Sequence, residues 1–255
     1  MLLENKNIII FGAGGLLGAS LTKACIENGA KVIAVDLNIN HIKTKLQAQG
    51  IVTSSDIDIT YAEVDVTNEP SVMDFFNSLI NIDGIVNATY PRNKMYGSKL
   101  FDVTLASFNE NLSLHLGSSF LISQQAAQLF LRLKSPLSMV NISSIYGVIA
   151  PKFGIYDNTQ MTMPVEYAAI KSALLHLNKY IVTYVNNSGF RINSVSPGGI
   201  FDNQPAAFCE AYRKNTHGAG MLDVNEMTGS IIFLLSEQSR YVTGQNIIVD
   251  DGFSL

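Results

Sequence analysis

Tyr167 and Lys171 are the residues whose types and spacing point most directly to chemistry. They stand four positions apart in the stretch VEYAAIKSALLHL, which runs from Val165 to Leu177 and has small and apolar residues at helical spacing. On one face of a helix, the lysine ammonium would favour the phenolate and lower the tyrosine pKa from its usual value of about 10. The pair is a candidate proton donor and acceptor, although an ordinary surface helix can carry the same short pattern.

A glycine-rich turn follows the first apolar run of the chain. Asn7 to Phe11 is typical of a strand, Leu16 to Asn28 of an amphipathic helix, and Lys31 to Val35 of a second strand. The turn reads GAGGLLG and carries the glycines Gly12, Gly14, Gly15 and Gly18. Glycines there let backbone N–H groups approach a pyrophosphate at the helix N-terminus. The β-α-β unit predicts a dinucleotide site; the alternative is a glycine bend without a ligand.

Asp36 closes the second predicted strand. It follows the last glycine of the turn by nearly the spacing at which an acidic side chain accepts hydrogen bonds from the adenosine ribose. A carboxylate at that place would repel a 2′-phosphate. The sequence therefore favours NAD over NADP.

Polar residues follow three later apolar runs. Asp65 could accept a hydrogen bond from the adenine amino group, but Asp65 or Thr67 could equally cap a helix that begins near Glu69. Asn87 and Ser144 end two further predicted strands, where ligands of parallel sheets bind. The hydroxyl of Ser144 could donate to a substrate oxygen, or belong to a simple serine-rich turn.

A long helix is predicted from about Ser107 to Leu133. Asn111 and His115 stand four residues apart on it and would share one face. A functional role for one of them and a purely structural polar pair are both compatible with this spacing.

Two irregular segments flank the Tyr167 helix. The first, at about 147–166, joins Ser144 to Tyr167 and must pass over the site. The second, at about 200–222, has mixed polarity and several glycines and prolines. Long loops at the carboxyl edge of a sheet commonly cover ligands, so both segments are predicted to be substrate loops.

Composition limits the class of protein. With 255 residues, 47% of them hydrophobic and 15% charged, the chain is expected to form one globular domain over residues 1–255. A formal net charge of −4 without a run of basic residues argues against nucleic acid and favours a small-molecule partner. The two cysteines have no metal-ligand or disulfide spacing, and no apolar run is long enough for a membrane span. We expect a cytoplasmic protein without a metal site.

Taken together, these motifs resemble the short-chain dehydrogenase/reductase family over essentially the whole chain. The matching elements are the turn from Gly12 to Gly18, Asp36, Asp65-Val66, Asn87-Ala88, Ser144, the motif from Tyr167 to Lys171, Pro197-Gly198, and the terminal TGQNIIVDDG. The resemblance implies an α/β fold, a single doubly wound Rossmann-type domain of about seven parallel strands flanked by helices. It also implies hydride transfer between NAD(P) and an alcohol or ketone, in a homodimer or homotetramer.

The resemblance also implies roles for individual residues. Tyr167 would be the acid/base, Lys171 would lower its pKa and hold the nicotinamide ribose, and Ser144 would position the substrate oxygen. The implied cofactor-binding residues are Gly12, Gly15, Leu16, Leu17, Gly18, Asp36, Asp65, Val66, Asn87, Ala88, Tyr167, Lys171, Pro197, Gly198 and Ile200.

Three departures from the family pattern stand out. Leu16 occupies a position that usually carries glycine, and His115 takes the fourth catalytic position in place of the usual asparagine. Either His115 or Asn111, one turn earlier, could hold the water that relays protons to Lys171. The segment between Ser144 and Tyr167 is longer than the family norm, which implies a larger polar substrate beside Phe153, Tyr156, Asn158 and Gln160.

The phrases SSIYGVIAP and MPVEYAAIK resemble the branch of the family associated with bacterial surface-polysaccharide and flagellin-sugar pathways. The sequence thus predicts an NAD-dependent oxidoreductase that acts on a sugar or sugar derivative. The alternatives are a 3-oxoacyl reductase, which would usually prefer NADPH, and a non-catalytic dinucleotide-binding subunit.

Overall fold

Seven parallel strands form the sheet on which the site is built. The structure, a computed structural model, describes residues 1–51 and 58–255. The strands are β1 (Asn7–Phe11), β2 (Lys31–Asp36), β3 (Ile59–Glu63), β4 (Gly84–Asn87), β5 (Leu137–Ile142), β6 (Phe190–Pro197) and β7 (Asn246–Val249). They lie in the order β3-β2-β1-β4-β5-β6-β7. This order confirms the predicted doubly wound α/β fold.

Helices cover both faces of the sheet. They are α1 (Leu16–Glu27), α2 (Ile39–Ala48), α3 (Glu69–Ser78), α4 (Leu105–Asn111), α5 (Ser118–Leu133), α6 (Val165–Val185), α7 (Ala206–Arg213) and α8 (Thr228–Leu235). Among the described residues, none of the helices is both long enough and apolar enough to pass through a membrane.

The apolar character of the strands follows from burial on both faces. Ile8 and Ile10 of β1 pack in a cluster with Leu21 of α1 and Ile231 of α8. The alternate residues of β1 point to the other face, where Phe11 packs against Phe76 of α3, with ring centroids 5.8 Å apart. A strand covered on both sides reads as a continuous apolar run, which is why the short NIIIF segment predicted β1 correctly.

The chain reverses direction across the sheet beside β1. It runs outward from β1 to β2 and β3, and then returns to β4 on the other side of β1. Phe11, the last residue of β1, and Asn87, the last residue of β4, are register partners, so the two strands end side by side. Such a switch point opens a crevice at the carboxyl ends of the strands, where ligands of α/β proteins bind.

Two predicted boundaries were wrong. The predicted continuous helix over 107–133 is divided by a π-helical turn, Leu112–Gly117, a rare interruption that the apolar spacing of a long helix does not predict. The segment at 200–222 was read as a loop but contains α7. Its signal was Phe208 and Tyr212, an aromatic pair at helical spacing, and both side chains are buried.

Candidate active site

Tyr167 and Lys171 lie on the first turns of α6, as their spacing predicted. Lys171 is 4% exposed, and its Nζ donates to the Ile142 carbonyl oxygen at 2.7 Å. The same nitrogen lies 5.5 Å from the centroid of the Tyr167 ring. The end of β5 therefore fixes the lysine beside the tyrosine.

Ser144 joins this pair from the end of β5. Its hydroxyl accepts from the Tyr146 backbone N–H at 3.2 Å and makes a hydrogen bond with Tyr167. Gly147 allows the following turn to pack on α6, because a Cβ there would lie 2.6 Å from the Lys171 carbonyl carbon. The three residues predicted to act together are thus brought together by a strand end, a glycine contact and a helix.

The electrostatic balance at Tyr167 differs from the sequence-based expectation. Burial is the largest influence and raises the pKa of the Tyr167 phenol, while the hydrogen bond with Ser144 acts in the opposite direction. Burial also lowers the pKa of Lys171 to about 7. An ammonium pKa close to neutrality makes Lys171 a group that can both take up and release a proton at physiological pH.

His115 is turned into the protein interior by the π-helical turn. It is 2% exposed, and its Nε2 lies 3.2 Å from Lys171 Nζ. Its Nδ1 has no hydrogen-bond partner among the described residues. Burial, and then the charges of Lys171 and Arg92, lower the pKa of His115 to about 2. The imidazole is therefore neutral in the folded protein at physiological pH.

The lowered pKa of His115 predicts a loss of stability in acid. Below pH 6.5 the unfolded chain binds a proton at this residue that the folded chain does not bind, so the free energy of unfolding falls as pH falls. Between pH 6.0 and 4.5 the loss should be about 2 kcal/mol from this residue alone. Urea unfolding of wild type and His115→Asn at both pH values measures it. Equal pH slopes in the two proteins would contradict the assignment.

Asn111 does not share the environment of His115, although both are buried. Its Oδ1 accepts from the Asn93 backbone N–H at 3.0 Å, and its Nδ2 donates to Asn93 Oδ1 and to Glu166 Oε1, each at 3.1 Å. Only His115 of the two candidates contacts Lys171. The four-residue spacing predicted that the two side chains share one helix face. In the structure they have different hydrogen-bond partners.

The glycine turn is shaped by close backbone approaches. Gly12 has a φ of 81°, and a Cβ there would lie 2.8 Å from the Ala88 carbonyl oxygen. A Cβ on Gly18 would clash with the Gly12 carbonyl group. Gly15 precedes α1 without a side-chain cap, so the first amides of the helix have no acceptor within it. The turn thus leads into a helix start whose first N–H groups are bare, as a pyrophosphate requires, whereas the N–H groups of Gly12 to Gly15 already have acceptors in the protein.

Asp36 lies at the end of β2 and faces this turn. Its Oδ2 accepts from the Gly14 backbone N–H at 2.9 Å, and its Oδ1 accepts from the Leu37 backbone N–H at 2.8 Å. A carboxylate has about four acceptor positions, so two remain for ribose hydroxyls. Its place beside the turn agrees with the spacing from which a ribose contact was predicted.

The remaining predicted cofactor residues are mostly held by their own surroundings. Asp65 follows the end of β3, and its Oδ1 accepts from Thr67 N and Oγ1, while Asn68 caps α3. The alternative in which Asp65 or Thr67 caps that helix was wrong.

The predicted cofactor residues at the end of β4 are also held by neighbouring elements. The Asn87 Nδ2 donates to Asn141 Oδ1 at 3.1 Å and to Ser119 Oγ at 3.2 Å. Val66 packs in the core, and the Ala88 N–H donates to the Phe11 carbonyl oxygen.

Pro197, Gly198 and Ile200 lie where β6 leaves the sheet. The Gly199 N–H donates to the Tyr212 hydroxyl at 2.6 Å, and a Cβ on Gly198 would lie 2.6 Å from the same oxygen. The turn after β6 is thereby attached to α7. Helix α7 was absent from the sequence prediction, and it forms one wall of the site.

A cavity of about 790 Å³ lies between these elements, within the range of ligand-binding clefts. Leu16, Leu17, Ser144, Tyr167 and Ile200 all line it. Of the four substrate-loop residues named from the sequence, Tyr156 and Gln160 line the cavity, whereas Phe153 and Asn158 do not.

The loop after β4 forms a wall of the cavity that was not predicted from the sequence. Tyr90, Arg92 and Tyr96 line the cavity, and the Tyr90 ring lies 5.6 Å from the Tyr167 ring and 5.0 Å from the His115 ring. No motif in the sequence singles out the stretch from Pro91 to Thr104, which is polar and rich in turn residues. The available signal was the position of these residues directly after Asn87, at the carboxyl end of a central strand.

The C-terminal residues pack behind Tyr212, a residue of the α7 wall of the cavity. Phe253 is fully buried and stacks on Tyr212, with ring centroids 4.4 Å apart. Lys152, from the segment before Tyr167, donates to the Phe253 carbonyl oxygen at 2.7 Å. The tail therefore connects both predicted substrate loops.

Phe253→Ala should lower the free energy of unfolding by about 3–5 kcal/mol, because it leaves a cavity beneath both loops. Phe153→Ala is the matched control, since Phe153 is 58% exposed and its truncation should change stability by less than about 0.5 kcal/mol. Urea unfolding of both variants provides the comparison. A loss below about 1 kcal/mol for Phe253→Ala would show that the tail does not hold the loops.

Comparison with known proteins gives relatives over the whole chain. A family model described as Enoyl-(Acyl carrier protein) reductase matches residues 12–254. Post-translational flagellin modification protein A of Campylobacter coli is 37% identical over 262 residues, with 100% of each chain covered. A 7alpha-hydroxysteroid dehydrogenase of Bacteroides fragilis is 28% identical, with 99% of this chain and 95% of the other covered.

A solved structure has the same architecture. The short chain dehydrogenase from Leptospira borgpetersenii, determined with bound NAD+, superposes with a TM-score of 0.86 at 29% identity. The match covers 99% of this chain and 94% of that chain.

Proposed function

The chain belongs to the short-chain dehydrogenase/reductase family, and we propose that it is an NAD-dependent oxidoreductase that interconverts an alcohol and a ketone on a sugar derivative. The observation that carries this proposal is that Ser144 and Tyr167, which share a hydrogen bond, line one large cavity, with Lys171 buried directly beside the Tyr167 ring. Their arrangement suits proton transfer to or from a hydroxyl group.

The residues around the glycine turn fit a nicotinamide dinucleotide. Bare amides at the start of α1 would hold the pyrophosphate, and Asp36 would hold the adenosine ribose. Tyr167 and Lys171 would lie beside the nicotinamide ribose, with Pro197 and Ile200 on the opposite wall. When bound, the cofactor supplies or accepts the hydride. NAD is favoured over NADP because the Asp36 carboxylate would repel a 2′-phosphate.

Each catalytic side chain has a definite task in this proposal. The Tyr167 hydroxyl gives its proton to the ketone oxygen during reduction and takes it back during oxidation. The Ser144 hydroxyl donates a hydrogen bond to the same oxygen, and the Lys171 ammonium favours the phenolate that Tyr167 becomes. Burial of Lys171 in contact with a backbone carbonyl keeps its charge close to the reacting oxygen.

His115 extends the proton path from Lys171 towards the interior. A neutral imidazole with its proton on Nδ1 can accept at Nε2 from Lys171 Nζ and release the proton from Nδ1 to a water molecule. The imidazole contacts the lysine directly, whereas Asn111 is engaged by Asn93 and Glu166. We therefore favour His115 over Asn111 for the proton relay.

A sugar derivative is favoured by two observations. The relative that is 37% identical over its full length is, by its name, a flagellin modification protein. The cavity wall carries Arg92, Gln160 and Asp202 among tyrosine side chains, a set that can hydrogen-bond several hydroxyl groups. The segments at about 147–166 and 200–222 would supply the substrate-facing surface.

The alternatives differ in measurable ways. A 3-oxoacyl reductase would usually prefer NADPH, which Asp36 disfavours. A non-catalytic dinucleotide-binding subunit would have no need of the intact Ser144, Tyr167 and Lys171.

A self-associating surface is proposed on α5 and α6. Exposed large side chains on these helices include Phe120, Leu131, Tyr180 and Tyr184, and the last two stack with centroids 6.3 Å apart. Grouped exposed apolar side chains mark interaction surfaces. We propose a homodimer or homotetramer in the cytoplasm, where the free thiols of Cys25 and Cys209 would stay reduced.

The function is tested by measuring NADH formation from NAD+ with a panel of sugars, sugar acids, sugar phosphates and simple alcohols. Turnover with a sugar derivative, faster with NAD+ than with NADP+, supports the proposal. NADPH-dependent reduction of 3-oxoacyl thioesters would favour the first alternative. Tight NAD+ binding without any turnover would favour the second.

A further inference from the structure

We propose that Arg92 binds an anionic group of the substrate, a phosphate or a carboxylate, at the mouth of the cavity. The proposal rests on the oxidoreductase function proposed above and specifies its substrate class, an acidic or phosphorylated sugar. Arg92 belongs to the loop after β4, for which no role was predicted from the sequence.

The guanidinium of Arg92 lies close to the reacting residues. It is stacked over the Tyr90 ring, 4.8 Å from its centroid, and Tyr90 in turn contacts Tyr167 and His115 through its ring. Arg92 is near enough to His115 for its charge to lower the histidine pKa. Tyr167, Tyr90 and Arg92 all line the same cavity, so a ligand bound at the Tyr167 hydroxyl has Arg92 within the same space.

Arg92 has unused binding capacity. Among the described residues it takes part in no ion pair and donates no side-chain hydrogen bond. The other charged residue on the cavity wall, Asp202, follows β6, and its side chain is exposed. Because a guanidinium has five N–H donors, stacking on Tyr90 leaves both of its donor edges for a ligand.

The loop that carries Arg92 is anchored immediately beyond it. The Asn93 side chain donates to Glu110 Oε2 at 2.7 Å and to Ser107 Oγ at 3.1 Å. The Asn93 backbone N–H donates to Asn111 Oδ1, and the Asn93 Oδ1 accepts from Asn111 Nδ2. Asn111 in turn donates to the fully buried carboxylate of Glu166. A buried carboxylate directly before Tyr167 thus helps to fix the loop in place.

This anchoring gives the loop two fixed points on either side of Arg92. Tyr90 is packed against Tyr167, and Asn93 is held by α4, whose residue Asn111 also donates to Glu166 of α6. The backbone of Arg92 is therefore ordered before a ligand arrives, and less conformational freedom is lost on binding. Planar, bidentate recognition of phosphate or carboxylate is the interaction for which a guanidinium is best suited.

The test compares three probes that differ in one group: D-glucose, D-glucose 6-phosphate and D-glucuronate. Calorimetry in the presence of NAD+ gives the affinity of each probe for wild type, Arg92→Ala, Arg92→Lys and Lys94→Ala. Lys94 is the matched control, because it is an exposed cation of the same loop that does not line the cavity. Turnover of each probe is measured in parallel.

We expect wild type to bind at least one anionic probe about 10- to 100-fold more tightly than glucose, the range of a charge-assisted hydrogen-bond pair. Arg92→Ala should lose this preference, Arg92→Lys should keep part of it, and Lys94→Ala should keep all of it. Whichever anionic probe binds more tightly distinguishes a phosphate from a carboxylate. NAD+ affinity should be the same in all four proteins.

Three results of the binding measurements would overturn the subsite: no binding of either anion to wild type, equal binding of anionic and neutral probes, or a parallel loss of NAD+ affinity in Arg92→Ala. The last result would assign Arg92 to the cofactor. Anion binding that depends on Arg92, without NADH formation from any compound of the broad panel, would retain the subsite and reject the oxidoreductase proposal. Turnover of neutral sugars alone would retain the enzyme and reject the subsite.

Discussion

Tyr167→Phe should lower kcat by about 10²- to 10⁴-fold with any accepted substrate, the usual contribution of a positioned acid or base. The substitution removes the hydroxyl that is hydrogen-bonded with Ser144 and leaves the ring that packs against Tyr90. Because only the proton-transferring atom is lost, NAD+ affinity and the free energy of unfolding should change little. Steady-state kinetics, with NAD+ binding measured separately, gives both quantities.

Tyr156→Phe is the matched control for this experiment. Tyr156 also lines the cavity, and its hydroxyl donates to the Tyr146 hydroxyl at 3.3 Å. Its kcat should stay within a few-fold of wild type. If Tyr167→Phe retains turnover close to that of wild type, Tyr167 is not the acid/base and the chemistry must lie elsewhere. If the two variants lose the same activity, the effect belongs to the cavity wall in general.

The sequence predicted those parts of the site that depend on local pattern. β1 is an uninterrupted apolar run, and the glycines that follow it are dictated by contacts such as that of Gly12 with Ala88. Tyr167 and Lys171 are separated by one helical turn, so their proximity is a property of α6 alone. Strands, turns and helices each have a characteristic residue spacing or composition that can be recognised in the sequence. Residues that follow the strands of a parallel sheet then meet at its carboxyl edge.

The parts of the site that were not predicted depend on contacts between segments that are distant in the sequence, and no local residue pattern indicates such contacts. The π-helical turn changes which neighbours Asn111 and His115 meet, yet it inserts only one residue into an otherwise regular apolar pattern. Glu166 reads as an ordinary first-turn acid of a helix, but it is fully buried because Asn111 approaches it from another element. Arg92 acquires its position from the anchoring of Asn93, which pairs residues 18 positions apart.

The preference for a cofactor should change when Asp36 is altered. Wild type should use NAD+ far better than NADP+, because a 2′-phosphate placed against a carboxylate costs several kcal/mol. Asp36→Asn keeps an oxygen that can accept from the Gly14 N–H but removes the charge. Its kcat/KM with NADP+ should rise by about tenfold or more relative to that with NAD+. Measuring kcat/KM with both cofactors at constant ionic strength provides the ratio.

Asp36→Ala separates the charge from the hydrogen bonds. Alanine removes the acceptor of the Gly14 N–H and the ribose contacts together, so KM for NAD+ should rise about 10- to 100-fold, the range for hydrogen bonds to a charged group. Asp36→Asn should raise it much less. A rise of equal size in both variants would mean that the charge itself, rather than acceptor geometry, holds the ribose. If wild type already uses NADP+ as well as NAD+, Asp36 does not face the ribose, and the choice of cofactor is made by other residues around the glycine turn.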